Sequence, residues 1–147
     1  MEKYDVCVIG AGPSGYASAM RAVDFGKRVL LVEKDRVGGA GIHNGALWSK
    51  SWWELSREAY QIRRNGVALS INPPKFAYEN ISDEVDQAVS DREEMLVHHM
   101  NNINTSFEDG THLVFKKGSA SIKTQHEVEI QSDDSTETVH AEHIILA

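Results

Sequence analysis

A chain of 147 residues, 41% of them hydrophobic, can bury the core of one domain. Its formal net charge of −7 argues against nucleic acid as a partner, and its single cysteine, Cys7, excludes a disulfide within the chain. No basic leader with an apolar core opens the sequence and no apolar run approaches the ~20 residues of a membrane span, so a soluble, cytoplasmic protein without a membrane partner is expected.

The first 33 residues predict a βαβ unit. Tyr4 to Ile9 reads as a buried strand, with Cys7 inside it as a small hydrophobe. Gly10-Ala11-Gly12-Pro13-Ser14-Gly15 is a glycine-rich turn that opens a helix over about Ser14 to Phe25. Pro13 suits the helix entry, where its missing N–H costs nothing. Ala19 is small enough for the sheet-facing side, and Gly26 supplies a stop. Arg28 to Val32 is a second buried strand, closed by Glu33.

This arrangement is the fingerprint for the adenosine diphosphate half of a dinucleotide. Gly10 permits the tight turn, Gly12 lets the backbone approach the pyrophosphate, and Gly15 brings helix and strand together. The pyrophosphate would sit on the N–H groups of the helix N-terminus, where the helix dipole also favours an anion. Glu33, eighteen positions after Gly15, is placed to accept hydrogen bonds from ribose hydroxyls. The plain alternative is a glycine turn that only joins two strands.

Lys34-Asp35-Arg36 leads into Val37-Gly38-Gly39-Ala40-Gly41, whose small residues predict a loop. A second phosphate contact at Gly38 and Gly39 and a plain connector both fit that composition. Leu47, Trp48, Trp52, Leu55, Ala59 and Ile62 then predict one buried face of a helix over Ala46 to Arg64, with Asn65-Gly66 as its stop. A crossover loop containing Pro73-Pro74 follows. Ser82-Asp83-Glu84 opens a further helix, with acids in its first turn, that runs to about Met100. His98-His99 lies near its end, and adjacent helical positions point apart, which argues against a shared metal.

From Thr111 the period changes towards two. His112 to Phe115, Ala120 to Ile122, Glu127 to Ile130 and Thr136 to His140 read together as an antiparallel meander. His143-Ile144-Ile145-Leu146-Ala147 is a continuous apolar run, predicted as a strand buried on both faces of a parallel sheet. The fold class is α/β: a Rossmann-like domain with a parallel sheet, flanking helices and the meander.

The segment Gly38-Gly39-Ala40-Gly41-Ile42-His43-Asn44-Gly45-Ala46-Leu47-Trp48-Ser49-Lys50 resembles the opening of the second helix in the flavoprotein disulfide reductases, the family of dihydrolipoamide dehydrogenase and glutathione reductase. There the pattern is Gly-Gly-Thr-Cys-x-Asn-x-Gly-Cys-x-Pro-Ser-Lys. The frame is kept at Gly38, Gly39, Gly45, Ser49 and Lys50, while Gly41 and Ala46 stand in place of the two redox cysteines and Trp48 in place of the proline. Lys117-Gly118-Ser119-Ala120 is similar to the family's turn before its meander, and Ile144 to Ala147 to the start of a second flavin motif, Ala-Thr-Gly.

The resemblance implies FAD as cofactor, with NADH or NADPH as donor. It implies flavin-domain contacts from Gly10, Gly12, Pro13, Ser14, Gly15, Glu33, Lys34, Gly38, Gly39, Gly45, Ser49, Lys50, Ala120 and Ala147. Lys50 would lie beside the reactive edge of the flavin; an ordinary solvated lysine is the alternative. His43 is similar to the histidine of soluble pyridine nucleotide transhydrogenases, or is an ordinary loop residue. Glycine and alanine have no sulfur, so dithiol chemistry is excluded at positions 41 and 46. Residues 1–147 would form the N-terminal portion of the FAD domain, incomplete at its C-terminal end, without the nicotinamide-binding and dimerisation domains. A homodimer is then expected only of a longer parent. Three functions stay open: part of an FAD-dependent oxidoreductase without a redox disulfide, a non-catalytic binding protein, or a plain NAD(P)-binding domain in which Lys34 or Arg36 meets a 2′-phosphate.

Overall fold

The computed structural model describes residues 1–72, 75–103 and 112–147; Pro73-Pro74 and Thr111 lie outside them. The elements are β1 (Lys3–Ile9), α1 (Pro13–Asp24), β2 (Val29–Glu33), α2 (Gly39–His43), α3 (Ala46–Ala68), α4 (Tyr78–Ile103), β3 (Leu113–Lys117), β4 (Ser119–Ile122), β5 (Glu127–Gln131) and β6 (Thr136–Leu146). They form two compact units, residues 1–39 with 93–147, and residues 40–92.

The first unit holds a six-stranded sheet in the order β3-β2-β1-β6-β5-β4. Its centre follows from the apolar runs of β1 and β2. All five residues of β2 are buried, and successive side chains point to opposite faces. Val29 and Leu31 join a core cluster with Val6, Val8, Ala19 and Val23 of β1 and α1 and Met100 of α4. Leu30 and Val32 join a second cluster with Tyr4, Cys7, Val128, Ile130 and Val139, so the meander covers the other face. Each fully buried Val or Leu in these clusters contributes about 1.5–3 kcal/mol of transfer free energy.

Helix α1 ends as expected, and the reason is local. Gly26 takes φ +68°, the Gly26 N–H bonds to the Val23 carbonyl at 2.8 Å, and the Lys27 N–H to that of Ala22 at 3.1 Å. These are the two bonds of a Schellman cap.

Several expectations are corrected. The strand after residue 111 does not belong to the meander. β3 pairs in parallel with β2, Val29 opposite Leu113 and Glu33 opposite Lys117, because buried Leu113 completes the first core cluster. The meander is β4-β5-β6 alone. Its last strand and the final apolar run are one 11-residue strand, β6. Thr136 to His140 runs antiparallel to β5, and His140 to Leu146 runs parallel to β1. The run is not buried on both faces, since Leu146 is 75% exposed. The loop expected at Gly38 to Gly41 contains α2, which buries Ile42; that apolar anchor offsets the low helix propensity of its glycines.

In the second unit, α3 passes through Asn65-Gly66 and stops four residues later than expected. The Ser70 N–H bonds to the Val67 carbonyl at 3.2 Å, and the Ile71 N–H to that of Gly66 at 2.8 Å. The cap is again a Schellman turn, with Ser70 at φ +57° where glycine is usual. The expected buried face is partial: Trp48 and Ile62 are exposed. Trp52 stacks on Tyr78 with ring centroids 5.1 Å apart and tilts against Trp48 at 5.9 Å. Helix α4 starts at Tyr78 rather than Ser82, so Glu79 is the acid of its first turn.

Candidate functional site

The site is built from backbone at the C-terminal ends of β1 and β2. Gly10 leaves β1 with φ +103°, in the region L side chains rarely adopt. The Gly10 N–H bonds to the Val32 carbonyl at 2.8 Å, which holds the turn against β2. A Cβ on Gly10 would meet the Ala147 carbonyl oxygen at 2.3 Å. The Ala147 N–H itself bonds to the Ile9 carbonyl at 2.9 Å. One turn into α1, a Cβ on Gly15 would lie 1.9 Å from the Gly10 oxygen and 3.2 Å from the Ala147 side chain. Gly10 therefore packs backbone to backbone against Ala147, and Gly15 against Gly10, and only the absence of a side chain at these two glycines lets them do so.

Gly12 differs from its neighbours. A Cβ there would meet nothing within 4 Å, so the face above it is open. Gly12 is the N-cap of α1, with Pro13 following and no side-chain cap or acid in the first turn. A helix start carries backbone N–H groups with no partner inside the helix and a favourable potential for an anion. Ser14 lies in this first turn. Its carbonyl accepts from the Ser18 hydroxyl at 2.8 Å.

Glu33 is buried at the end of β2. One carboxylate oxygen accepts the Ala11 N–H at 2.6 Å, the other the Asp35 N–H at 2.8 Å. The acid thus ties the glycine turn to the segment after β2. That segment closes on the turn a second time, where the Gly38 N–H bonds to the Ala11 carbonyl at 2.8 Å. A Cβ on Gly39 would come within 3.1 Å of the Gly12 Cα. Lys34 is exposed beside Glu33. Arg36 donates from Nε to a Glu93 carboxylate oxygen of α4 at 3.0 Å, and a second guanidinium nitrogen binds the same oxygen.

Residues 4–147 match the family model described as pyridine nucleotide-disulphide oxidoreductase. The chain belongs to this family. It is 30% identical over 146 residues to a soluble pyridine nucleotide transhydrogenase of Sodalis glossinidius, covering 98% of this chain and 30% of that protein. It is 37% identical over 100 residues to a dihydrolipoyl dehydrogenase of Corynebacterium glutamicum, covering 67% and 21%. Among solved structures, the Cu(II) complex of the HOCl-induced flavoprotein disulfide reductase RclA from Escherichia coli superposes with TM-score 0.77 at 18% identity, over all of this chain and 29% of that one. The matches therefore span 21 to 30% of the length of these relatives.

Most of the cofactor contacts expected in the first unit meet in one place: Gly10, Gly12, Pro13, Ser14, Gly15, Glu33, Gly38, Gly39 and Ala147. Ala120 stands apart from them, opposite Ile130 in the meander, with its methyl group against the second core cluster. Gly45, Ser49 and Lys50 belong to the second unit. Gly45 is the N-cap of α3, and a Cβ on it would lie 2.4 Å from the Ala40 oxygen. The Ser49 hydroxyl bonds back to the Gly45 carbonyl at 2.9 Å, and Lys50 is exposed one residue further on.

The family's dithiol positions hold Gly41 and Ala46, and the one thiol lies elsewhere. Cys7 is fully buried in β1, and burial pushes its thiol up to about 11, so it stays protonated near neutrality. His98 and His99 diverge as adjacent helical positions should: His98 pairs with Asn102 at 2.7 Å, His99 with the Tyr16 hydroxyl at 2.6 Å. Among the described residues, no group of three or more His, Cys, Asp or Glu could hold a metal, and no helix is long and apolar enough to cross a membrane. Sequence reasoning missed Glu93. It lies 57 positions from Arg36, and no local spacing reports such a pair.

Proposed function

We propose that this chain is the FAD-binding part of an FAD-dependent pyridine nucleotide oxidoreductase that passes hydride between NADH or NADPH and flavin without a redox-active disulfide. The observation that carries this reading is the contrast at the glycine turn: Gly10 and Gly15 have no room for a Cβ, while Gly12 faces open space at an uncapped helix start. That is the shape and polarity a pyrophosphate needs.

In this reading Gly12, Pro13, Ser14 and Gly15 form the pyrophosphate cradle, with Gly38 and Gly39 closing beside it. Glu33 has lone pairs left for ribose hydroxyls after accepting two backbone N–H groups, and Lys34 stands at the same end. Gly45, Ser49 and Lys50 serve the flavin end, with Lys50 positioning the nicotinamide; Ala120 and Ala147 complete the contact set. Bound FAD supplies the two-electron acceptor. A homodimer belongs to a longer protein.

The test has two parts. The 147-residue chain should bind FAD weakly and oxidise neither NADH nor NADPH, so a stoichiometric flavin spectrum after desalting contradicts the assignment of the remaining contacts to a longer chain. A product of the same reading frame at the length of the relatives should have its flavin bleached anaerobically by NADH or NADPH. Bound flavin that neither nucleotide reduces sinks the oxidoreductase reading.

A further inference from the structure

The ribose end of the cradle carries a cation that is already spoken for. Arg36 lies one residue after Asp35, whose N–H holds the Glu33 carboxylate, and its carbonyl accepts the Gly39 N–H at 3.1 Å. It is therefore fixed at the segment between the acid and the second pair of glycines. Its guanidinium turns to α4, where two of its nitrogens bind one oxygen of Glu93. Arg36 is about half exposed and the Glu93 side chain only 21% exposed, so the pair is anchored on the helix side. Leu96 and Met100, one and two turns further along α4, pack into the first core cluster and hold that helix on the sheet.

An arginine at the end of the second strand is what a dinucleotide site uses to accept a 2′-phosphate, and an acid there selects a free 2′-hydroxyl. This chain has both, and a second acid engages the arginine. We infer that Glu93 is a positioning residue for nucleotide selectivity: by holding Arg36 it makes the cradle select an adenosine ribose with free hydroxyls and reject a 2′-phosphate. The inference rests on the nucleotide reading of the cradle. Glu93 then offsets the charge of the Arg36 guanidinium and commits its Nε and one terminal nitrogen, so the group has less to offer a phosphate dianion, while Glu33 beside it adds a negative charge of its own. Lys34 is the other cation of the segment and is unchanged in every variant below, so it cannot account for differences among them.

The test is calorimetric titration with ADP-ribose and with 2′-phospho-ADP-ribose. The wild-type chain should prefer ADP-ribose. Glu93→Gln should improve 2′-phospho-ADP-ribose binding about tenfold, the scale of one charge-assisted hydrogen bond, and leave ADP-ribose within about twofold. Arg36→Gln alone should leave the preference of the wild type in place, and Arg36→Gln with Glu93→Gln should abolish the gain. A Glu93→Gln variant with unchanged preference overturns the inference, as does a gain shared equally by both ligands or one that survives loss of Arg36. Should Glu93→Gln fail to fold, Arg36→Gln decides, because a lost preference in that variant contradicts an arginine already neutralised. A wild type that binds neither ligand rejects the nucleotide reading itself, and so is distinct from failure of the Glu93 assignment.

Discussion

The glycine cradle and α3 each contain buried glycine, but they are built differently. The turn between β1 and β2 is pinned chiefly by backbone, where Val32 holds Gly10, Gly38 holds Ala11 and Ile9 holds Ala147, with the buried Glu33 carboxylate on the Ala11 N–H. In α3, by contrast, Gly66 is the only buried residue, and Trp53, Tyr60 and Val67 are each at least 66% exposed. The first region is over-determined, and a change in one atom meets backbone that cannot move. The second is held by its own helical bonds and one apolar side, and single changes there should be absorbed.

The largest expected effect separates two glycines three residues apart. Gly15→Ala places a methyl group 1.9 Å from the Gly10 oxygen, and neither partner is a side chain that can rotate away. It should cost at least about 3 kcal/mol, at the upper end of overpacking penalties. That should appear as a fall in the urea midpoint with unchanged slope. Gly12→Ala meets open space at a φ of −67° and should leave stability within about 0.5 kcal/mol. Its cost should fall on FAD or ADP affinity instead. Equal stability losses in the two variants would erase the distinction between a packed glycine and a ligand-facing one.

A second effect tests how closed the core beneath the cradle is. The buried Cys7 thiol is pushed up to about 11, against an ordinary value of about 8.5 in an unfolded chain. The folded pKa is the higher one, so the unfolded state loses its proton first. The stabilisation is fully present below the unfolded value and is lost as pH rises towards 11. The slope approaches about 1.4 kcal/mol per pH unit, for a total on the order of 3 kcal/mol. Cys7→Ala should lower stability at pH 7 by leaving a small void but remove that alkaline loss. Parallel pH profiles for wild type and variant would show that Cys7 is reached by solvent.

The same contrast explains what was legible in the sequence. The βαβ unit could be read because its determinants are local: two apolar runs, three glycines at fixed spacing and one acid. The short strand Leu113 to Lys117 was legible as a strand but not as an edge of the parallel sheet. Alternation reports that one face is buried, not which neighbour provides the pairing. Asn65-Gly66 misled because a glycine inside a helix costs only about 1 kcal/mol, which the remaining turns recover. The Arg36–Glu93 pair was invisible for a further reason, since contacts that fold topology creates leave no periodic trace.

The smallest effect lies at the end of α3 and should have the opposite sign to the others. Ser70 supplies the left-handed residue of the cap at φ +57°, a conformation that costs an L side chain roughly 1–2 kcal/mol. Ser70→Gly removes that strain and keeps both capping hydrogen bonds, which come from backbone N–H groups. Part of the gain is offset because glycine makes the unfolded chain more flexible, by roughly 0.4–1 kcal/mol. The net should be a stabilisation of about 0.5 kcal/mol, or about 1–2 °C in Tm for a chain of this size. Ser70→Pro cannot adopt the angle and loses the N–H that binds the Val67 carbonyl, so it should lower Tm instead. A Ser70→Gly variant less stable than wild type would mean that the serine side chain, rather than the backbone turn, ends this helix.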